Sequence, residues 1–406
     1  MHYIISVFIH VLLGVGLLLR PVLALQQSTP RWQPLPEVPR RQVLTSAVGA
    51  ASAGLLLPAA KASPILAGPR SVIAVDSHLS IPVWPSWAGG RVVPVSLGGP
   101  LQDPFLLLAH HKHWFDPKDP LRQPFQQAGK LLGLPYVDVE GFKLHPHRGF
   151  DIWTYVLDGS DGFRHRDSLG ESPRVYRGGS AQWMRTGSGV MHEEYWETRP
   201  DRRTNIELFQ LWVNLGSKQK MDPPAIRYLG QDTTTLWTEK HTVSKGSGWV
   251  RDLTSTLNTV IDEPATSTDF DGQGMARGRP PLEILHVKLD PGSEFTWETT
   301  LNVVLYVREG AAQLKDVAGN MVPVEALQTA TFSHNGDFVT IRNQKERQTL
   351  DFLLLSAQPL REQAIQAGPI VMNTEEEINV AYQQLQEGTF LNRDYVLKQH
   401  EQKRRA

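Results

Sequence analysis

The chain has 406 residues, 40% hydrophobic and 20% charged, with a formal net charge of -1. That is the make-up of a globular protein with a sizeable core, and it leaves no global positive field to draw the chain to nucleic acid. Cysteine is absent, which excludes disulfides, thiolate catalysis and cysteine-ligated zinc or iron–sulfur centres, so any metal must be held by His, Asp or Glu.

Residues 1–70 read as a targeting leader. Tyr3 to Leu19 is almost wholly apolar, is followed by Arg20 and Pro21, and resembles a signal-peptide core within residues 1–25. A second unit at 39–62 begins with Arg40 and Arg41 and closes on Ala60-Lys61-Ala62, a pattern similar to a twin-arginine export signal. Between them lies QQSTPRWQPLPEVP, with Glu37 as the leader's one acidic residue. Two signals in series predict delivery to a plastid, into the thylakoid lumen, with no membrane span left in the mature protein. Secretion, membrane anchoring and a misassigned start codon are the alternatives.

From Ile73 to Leu97 loose alternation predicts short edge strands, and Leu106 to Ala109 a buried strand. His110, His111 and His113 follow in AHHKHWFDPKDP. They are read as a loop bounded by Pro and Asp, with hydrogen-bonded imidazoles and at most a supporting role beside a metal.

The span from His145 to Glu194 carries the chemistry. His145 and His147 are two apart, as are His192 and Glu194. On a strand such pairs point to one face, so two strands can bring three imidazoles and a carboxylate together, a set suited to a divalent transition metal such as iron. IWTYVLDG alternates and ends in a turn at Asp158-Gly159, and FRHRDSL reads as its hairpin partner, carrying His165 as a polar orienter. Trp153, Trp183, Met184 and Met191 are assigned either to a pocket lining or to barrel core. With Glu207 to Leu215 as a further strand, the region is a compact antiparallel barrel.

Trp237 to Arg279 is polar and rich in Gly, Ser and Thr, which predicts a strand or two and an exposed connection. From Leu282 the β pattern resumes, with turns at Asp290-Pro291-Gly292 and Arg308-Glu309-Gly310, as an internal repeat of the first half. Where the first half has H-x-H the second has Thr296-Trp297-Glu298, so the second barrel is expected to lack the metal. Thr374 with Glu377 forms a capping box for a helix through Ile378, Ala381, Tyr382 and Leu385, stopped by Gly388. The tail ending in Lys403, Arg404 and Arg405 is read as a solvated end. The boundaries are then 71–235 for the metal-binding barrel, 236–280 for the connection, 281–390 for the second barrel and helix, and 391–406 for the basic tail.

HPHRGFDIWTYVLDG, HRDSLG, QWMRTGSGVMHEE, QLWVNL, LDPG, LSAQPL and AGPIVMNTEEEI occur in that order between about Pro104 and Gly388. Together they resemble the pirin family, a bicupin branch of the cupin superfamily. The resemblance implies an all-β bicupin, with two stacked antiparallel jelly-roll barrels and a C-terminal helix, and a mononuclear metal in the first barrel. The metal is usually Fe(II), with other divalent transition metals open. The family's ligand motif falls on His145, His147, His192 and Glu194. Asp151 stands where the family usually has Glu, and Ser180 where it commonly has an acidic residue, which touches the surroundings of the site and not its ligands.

The resemblance implies a quercetin 2,3-dioxygenase type of activity on a flavonol-like or enediol substrate with dioxygen, in which Glu194 also serves as a base. The alternatives are a non-enzymatic, iron-binding redox sensor acting on a protein partner, and a scaffold with an incidental metal. A monomer that binds no nucleic acid is expected.

Overall fold

The computed structural model describes residues 68–82, 89–120, 141–169, 174–230, 243–254 and 281–392, with single positions at 124, 127 and 131. The leader, most of the 236–280 connection and the basic tail beyond 392 lie outside the described residues.

The chain is all-β with two barrels, each a pair of antiparallel sheets. In the first half the strands are β1 (Val72–Ser77), β2 (Ile81–Pro82), β3 (Gly90–Ser96), β4 (Phe105–Phe115), β5 (Gly141–His147) and β6 (Phe150–Val156). They continue with β7 (Phe163–Asp167), β8 (Arg174–Tyr176), β9 (Ser180–Arg185), β10 (Val190–Trp196), β11 (Thr204–Asn214) and β12 (Ala225–Gly230). The second half has β13 (Gly248–Asp252), β14 (Leu282–Leu289), β15 (Glu294–Glu298), β16 (Asn302–Glu309), β17 (Ala311–Lys315) and β18 (Met321–Glu325). It closes with β19 (Gln328–Phe332), β20 (Phe338–Arg342), β21 (Leu350–Ala357), the hairpin β22 (Ile365–Ala367) and β23 (Ile370–Met372), and helix α1 (Glu375–Glu387).

The first barrel has an outer sheet in the order β5-β10-β7-β8 and an inner sheet β12-β9-β6-β11-β4-β3-β2. The second repeats this, with outer sheet β15-β20-β17-β18 and inner sheet β1-β19-β16-β21-β14-β13. Outer strands keep one face in water, as in FRHRD of β7, which alternates between buried and solvent-facing residues. Inner strands are covered on both faces, so FDIWTYV of β6 and LDFLLLSA of β21 are buried at every position. One face lines the strand's own barrel. The other packs against the neighbouring barrel, where Trp153, Tyr155, Trp183, Phe209, Tyr306 and Leu353 share one apolar cluster.

The interface also carries two matching polar pairs. Tyr155 of β6 meets His286 of β14 at 2.9 Å, and Tyr306 of β16 meets His110 of β4 at 2.9 Å. Arg308 ties them together, donating to Glu207 at 2.9 and 3.0 Å and to Asp351 at 2.8 Å.

Three local expectations change. FRHRD does not pair with β6; β7 lies between β10 and β8, because consecutive strands of a jelly roll cross between sheets. His110, His111 and His113 are not in a loop: they sit within β4, which the Pro and Asp residues after Phe115 terminate. Their imidazoles are buried and hydrogen-bonded, His111 Nδ1 to His113 Nε2 at 2.9 Å. Residues 72–77, counted with the first barrel, pair with β19 of the second, the place β12 holds beside β9 in the first.

Helix α1 forms as its sequence directs. The Thr374 hydroxyl accepts from the Glu377 amide, the Glu377 carboxylate accepts from the Thr374 amide, and Gly388 closes the helix at φ 70°.

Candidate metal centre

Strands β5 and β10 pair antiparallel so that His145 lies opposite His192, with His147 two residues along on the same strand. One ligand atom from each of His145, His147 and His192 lies within 4.8 Å of the others. Each ring is held from behind. His145 Nδ1 donates to the Lys143 carbonyl at 2.7 Å, His147 Nδ1 donates to the Pro369 carbonyl at 3.2 Å, and His192 Nδ1 meets His165 Nε2 at 3.0 Å.

A carbonyl can only accept, so Nδ1 carries the proton on His145 and His147, and each Nε2 presents a lone pair. His145 Nε2 lies 2.9 Å from His192 Nε2. Bare lone pairs at that separation repel unless a cation or proton sits between them. Anchored Nδ1–H groups behind converging nitrogens are the usual arrangement around a metal-ligating histidine. The donor set therefore fits a divalent metal.

Electrostatics agree. Burial lowers the basicity of His145, and pushes His147 and His192 far below the ordinary imidazole range, with neighbouring imidazoles adding to the effect. His165 is lowered to about 3, by burial first and then by His145. Neutral imidazole is the form that binds metal.

Of the four residues expected to converge, Glu194 is not in the cluster. The extra residue of a β-bulge in β5 puts Glu194 opposite Phe142, while against β7 it keeps regular register opposite His165. Its carboxylate is buried and accepts from Gln210 Nε2 at 3.1 and 3.2 Å. Trp212 Nε1 donates to Gln210 Oε1 at 3.2 Å, which fixes the amide with its nitrogen toward Glu194. Burial raises the Glu194 carboxyl to about 7, against the opposing pull of Gln210.

The loop after His147 is held by the C-terminal segment. Arg148 is buried and donates to Ser188 O at 2.7 Å, Gln384 Oε1 at 2.7 Å and Phe390 O at 3.2 Å. Lys220 spends all three protons on Gly149 O at 2.8 Å, Asn214 Oδ1 at 2.6 Å and Val371 O at 3.0 Å. Gly149 has φ 89°, and a Cβ there would lie 2.0 Å from Val371 O.

The two barrels match different parts of one family. Residues 102–213 match the model for pirin, and residues 284–391 match the pirin C-terminal cupin domain. The chain belongs to the pirin family. It is 32% identical to human pirin over 251 residues, covering 59% of this chain and 74% of that protein. It is 31% identical over 307 residues to a candidate quercetin 2,3-dioxygenase of Pseudomonas aeruginosa, covering 74% of this chain and 92% of that one. A crystal structure of quercetin 2,3-dioxygenase from Acinetobacter baumannii shares the fold with a TM-score of 0.58 at 24% identity, covering 80% of this chain and 99% of that chain.

Within this pirin the other sequence assignments sort by barrel face. Trp153 and Trp183 are core between the barrels, and Trp183 Nε1 donates to Asp151 at 2.9 Å on that side, away from the histidines. Met184 joins the apolar end of the barrel interior, and Met191 packs with the α1 cluster. The aromatic neighbours of His147 are Phe150 and Trp212, with ring centroids at 5.3 and 5.4 Å. The sequence reading missed Gln210 and Trp212, although a polar residue on the apolar face of ELFQLWVNL was the visible signal. Among the described residues no helix is long and apolar enough to cross a membrane.

Proposed function

We propose that this pirin is an iron-dependent dioxygenase of the quercetin 2,3-dioxygenase type, acting on a flavonol-like or enediol substrate. The observation that carries this reading is the convergence of three imidazoles, with the Nδ1–H groups of His145 and His147 anchored on carbonyls and His192 Nδ1 held against His165. His145, His147 and His192 would hold the ion, which when bound supplies Lewis acidity and one-electron chemistry for a reaction with dioxygen.

The chain's own contribution is to fix the three rings and to supply a buried carboxylate two residues beyond His192. Glu194, with its carboxyl raised to about 7, would serve as the general base that accepts a substrate hydroxyl proton near neutral pH. Glu194 is also the candidate fourth donor to the ion. The leader is read as delivering the protein to a plastid, which sequencing the mature amino terminus checks.

The direct test is oxygen uptake by iron-loaded protein with quercetin, with His147→Ala as control. Stoichiometric iron with no oxygen uptake on any flavonol would overturn the activity and leave the metal site standing.

A further inference from the structure

The interior of the first barrel is layered. At one end Phe150, Ile152, Met184 and Val190 form an apolar cluster, and at the other Val156, Phe163, Tyr176 and Leu208 form a second. Between them lies a polar layer. Register places Gln182, Thr154 and Gln210 side by side across β9, β6 and β11. Gln210 reaches Glu194 on the opposite sheet, and Tyr228, the register partner of Gln182, meets His165 at 3.2 Å. Thr154 and Gln182 therefore face the same space, and both are almost fully buried. The Gln182 amide nitrogen has no hydrogen-bond partner, and the Thr154 hydroxyl has only the buried Tyr176 hydroxyl beside it. Burying the Gln182 amide nitrogen without a partner costs about 1–3 kcal/mol.

The second barrel is an internal control. The matching pairs Tyr155–His286 and Tyr306–His110 align the two repeats residue by residue. One step from Tyr306, Leu305 lies opposite Ala330 on β19 and opposite Leu354 on β21. The positions of Thr154, Gln182 and Gln210 are thus Leu305, Ala330 and Leu354 in the repeat, all in its apolar core. The fold closes without polar residues there, and the layer occurs in the barrel that has the histidine cluster.

We propose that Thr154 and Gln182 are ligand-binding residues, the wall that recognises the oxygen-bearing edge of a small neutral hydroxy-ketone held at the histidine cluster. This rests on the metal-centre reading above and names how its ligand is chosen. The amide nitrogen is a donor only and selects a carbonyl oxygen. The Thr154 hydroxyl donates or accepts, and Glu194 takes a neighbouring substrate hydroxyl. The layer residues include no Lys or Arg, so nothing in this wall pairs with a permanently anionic ligand. A site built on buried polar groups rejects an analogue that lacks the matching oxygen, because those groups are then left unpaired.

The test uses the full chain loaded with iron, the shape-conserving variants Gln182→Met and Thr154→Val, and Thr154→Ser as the conservative control. Affinity for quercetin and for tropolone, a small hydroxy-ketone, is measured by the metal-centred absorption change, beside iron content and urea stability. The expected result is iron content at the wild-type level, stability equal to or above wild type, and about tenfold weaker binding of both probes in Gln182→Met and Thr154→Val. Thr154→Ser should restore binding. Binding within about twofold of wild type in the iron-loaded variants would overturn the proposal and leave the layer as a structural water site. Wild-type protein that binds tropolone but not quercetin would overturn the flavonol reading alone. Wild-type iron-loaded protein that binds neither probe would overturn both.

Discussion

Acidification of the metal-free protein from pH 7 to about 5.5 should cost stability in an amount traceable to named side chains. Burial holds His111 and His165 down to about 3, against an ordinary imidazole value of 6.5. As pH falls through 6.5 the unfolded chain takes up protons that the folded chain refuses, so folding weakens by about 1.2 kcal/mol per group over this interval. His147 and His192, shifted in the same direction, add to the loss.

Glu194 works the other way. Its folded carboxyl, raised to about 7 from 4.5, binds a proton before the unfolded one does and so stabilises the fold on acidification, by about 1.6 kcal/mol. The net expectation is a loss, because the lowered histidines outnumber the one raised carboxyl. Urea denaturation of chelator-treated protein across this range measures it. Glu194→Gln removes the offset and should steepen the loss by about 1.6 kcal/mol. His111→Phe should flatten it by about 1.2 kcal/mol. Stability that stays level from pH 7 to 5.5, and is unaltered in slope by Glu194→Gln, would refute the reasoning.

His147→Ala should abolish stoichiometric binding of added iron, read by metal analysis, since two imidazoles are left on a site built for three. Gln384→Leu removes the acceptor of a buried guanidinium, so stability should fall by about 2–4 kcal/mol and iron affinity with it, measured by urea denaturation and chelator competition. Gly149→Ala places a Cβ against the Val371 carbonyl at a φ that L residues rarely adopt. It should free the C-terminal hairpin, seen as new protease cleavage between 365 and 390.

Much of this was legible in the chain, for local reasons. The His-x-His spacing and the capping box around Thr374 are each written within a few residues, and each appears as read, whereas the alternation read in IWTYVLDG does not, because β6 is buried on both faces. What was not legible depends on partners distant in sequence. The β1 segment reads as an edge strand but carries no mark of which barrel it joins, and it pairs with β19, more than 250 residues away. The partner of β7 was misassigned because proximity in sequence suggests a hairpin, whereas the jelly roll sends the strand to the other sheet. Glu194 stands outside the histidine cluster with its carboxylate held by Gln210 of β11, a partner that spacing along β10 does not reveal. The carbonyl that fixes His147 belongs to Pro369, and a backbone acceptor has no side-chain signature.

That last contact bears on why a barrel without the histidine cluster is part of the protein. The hairpin β22–β23 and helix α1 follow the second barrel in sequence, yet their polar groups are spent on the first. Pro369 O orients His147, Val371 O holds Lys220 under the loop, and Gln384 holds Arg148. A buried cation on either side of Gly149 is costly to leave unpaired, so the loop that bears His147 is stable only with this segment in place. By linkage, whatever the segment contributes to metal affinity the metal returns as stability of the segment. Hydrogen exchange at 365–390 should therefore slow when metal is added, while exchange in the apolar core of the second barrel, at Leu305 and Leu354, should not change. Equal slowing at both places would mean that metal stabilises the whole fold and that the segment has no particular tie to the site.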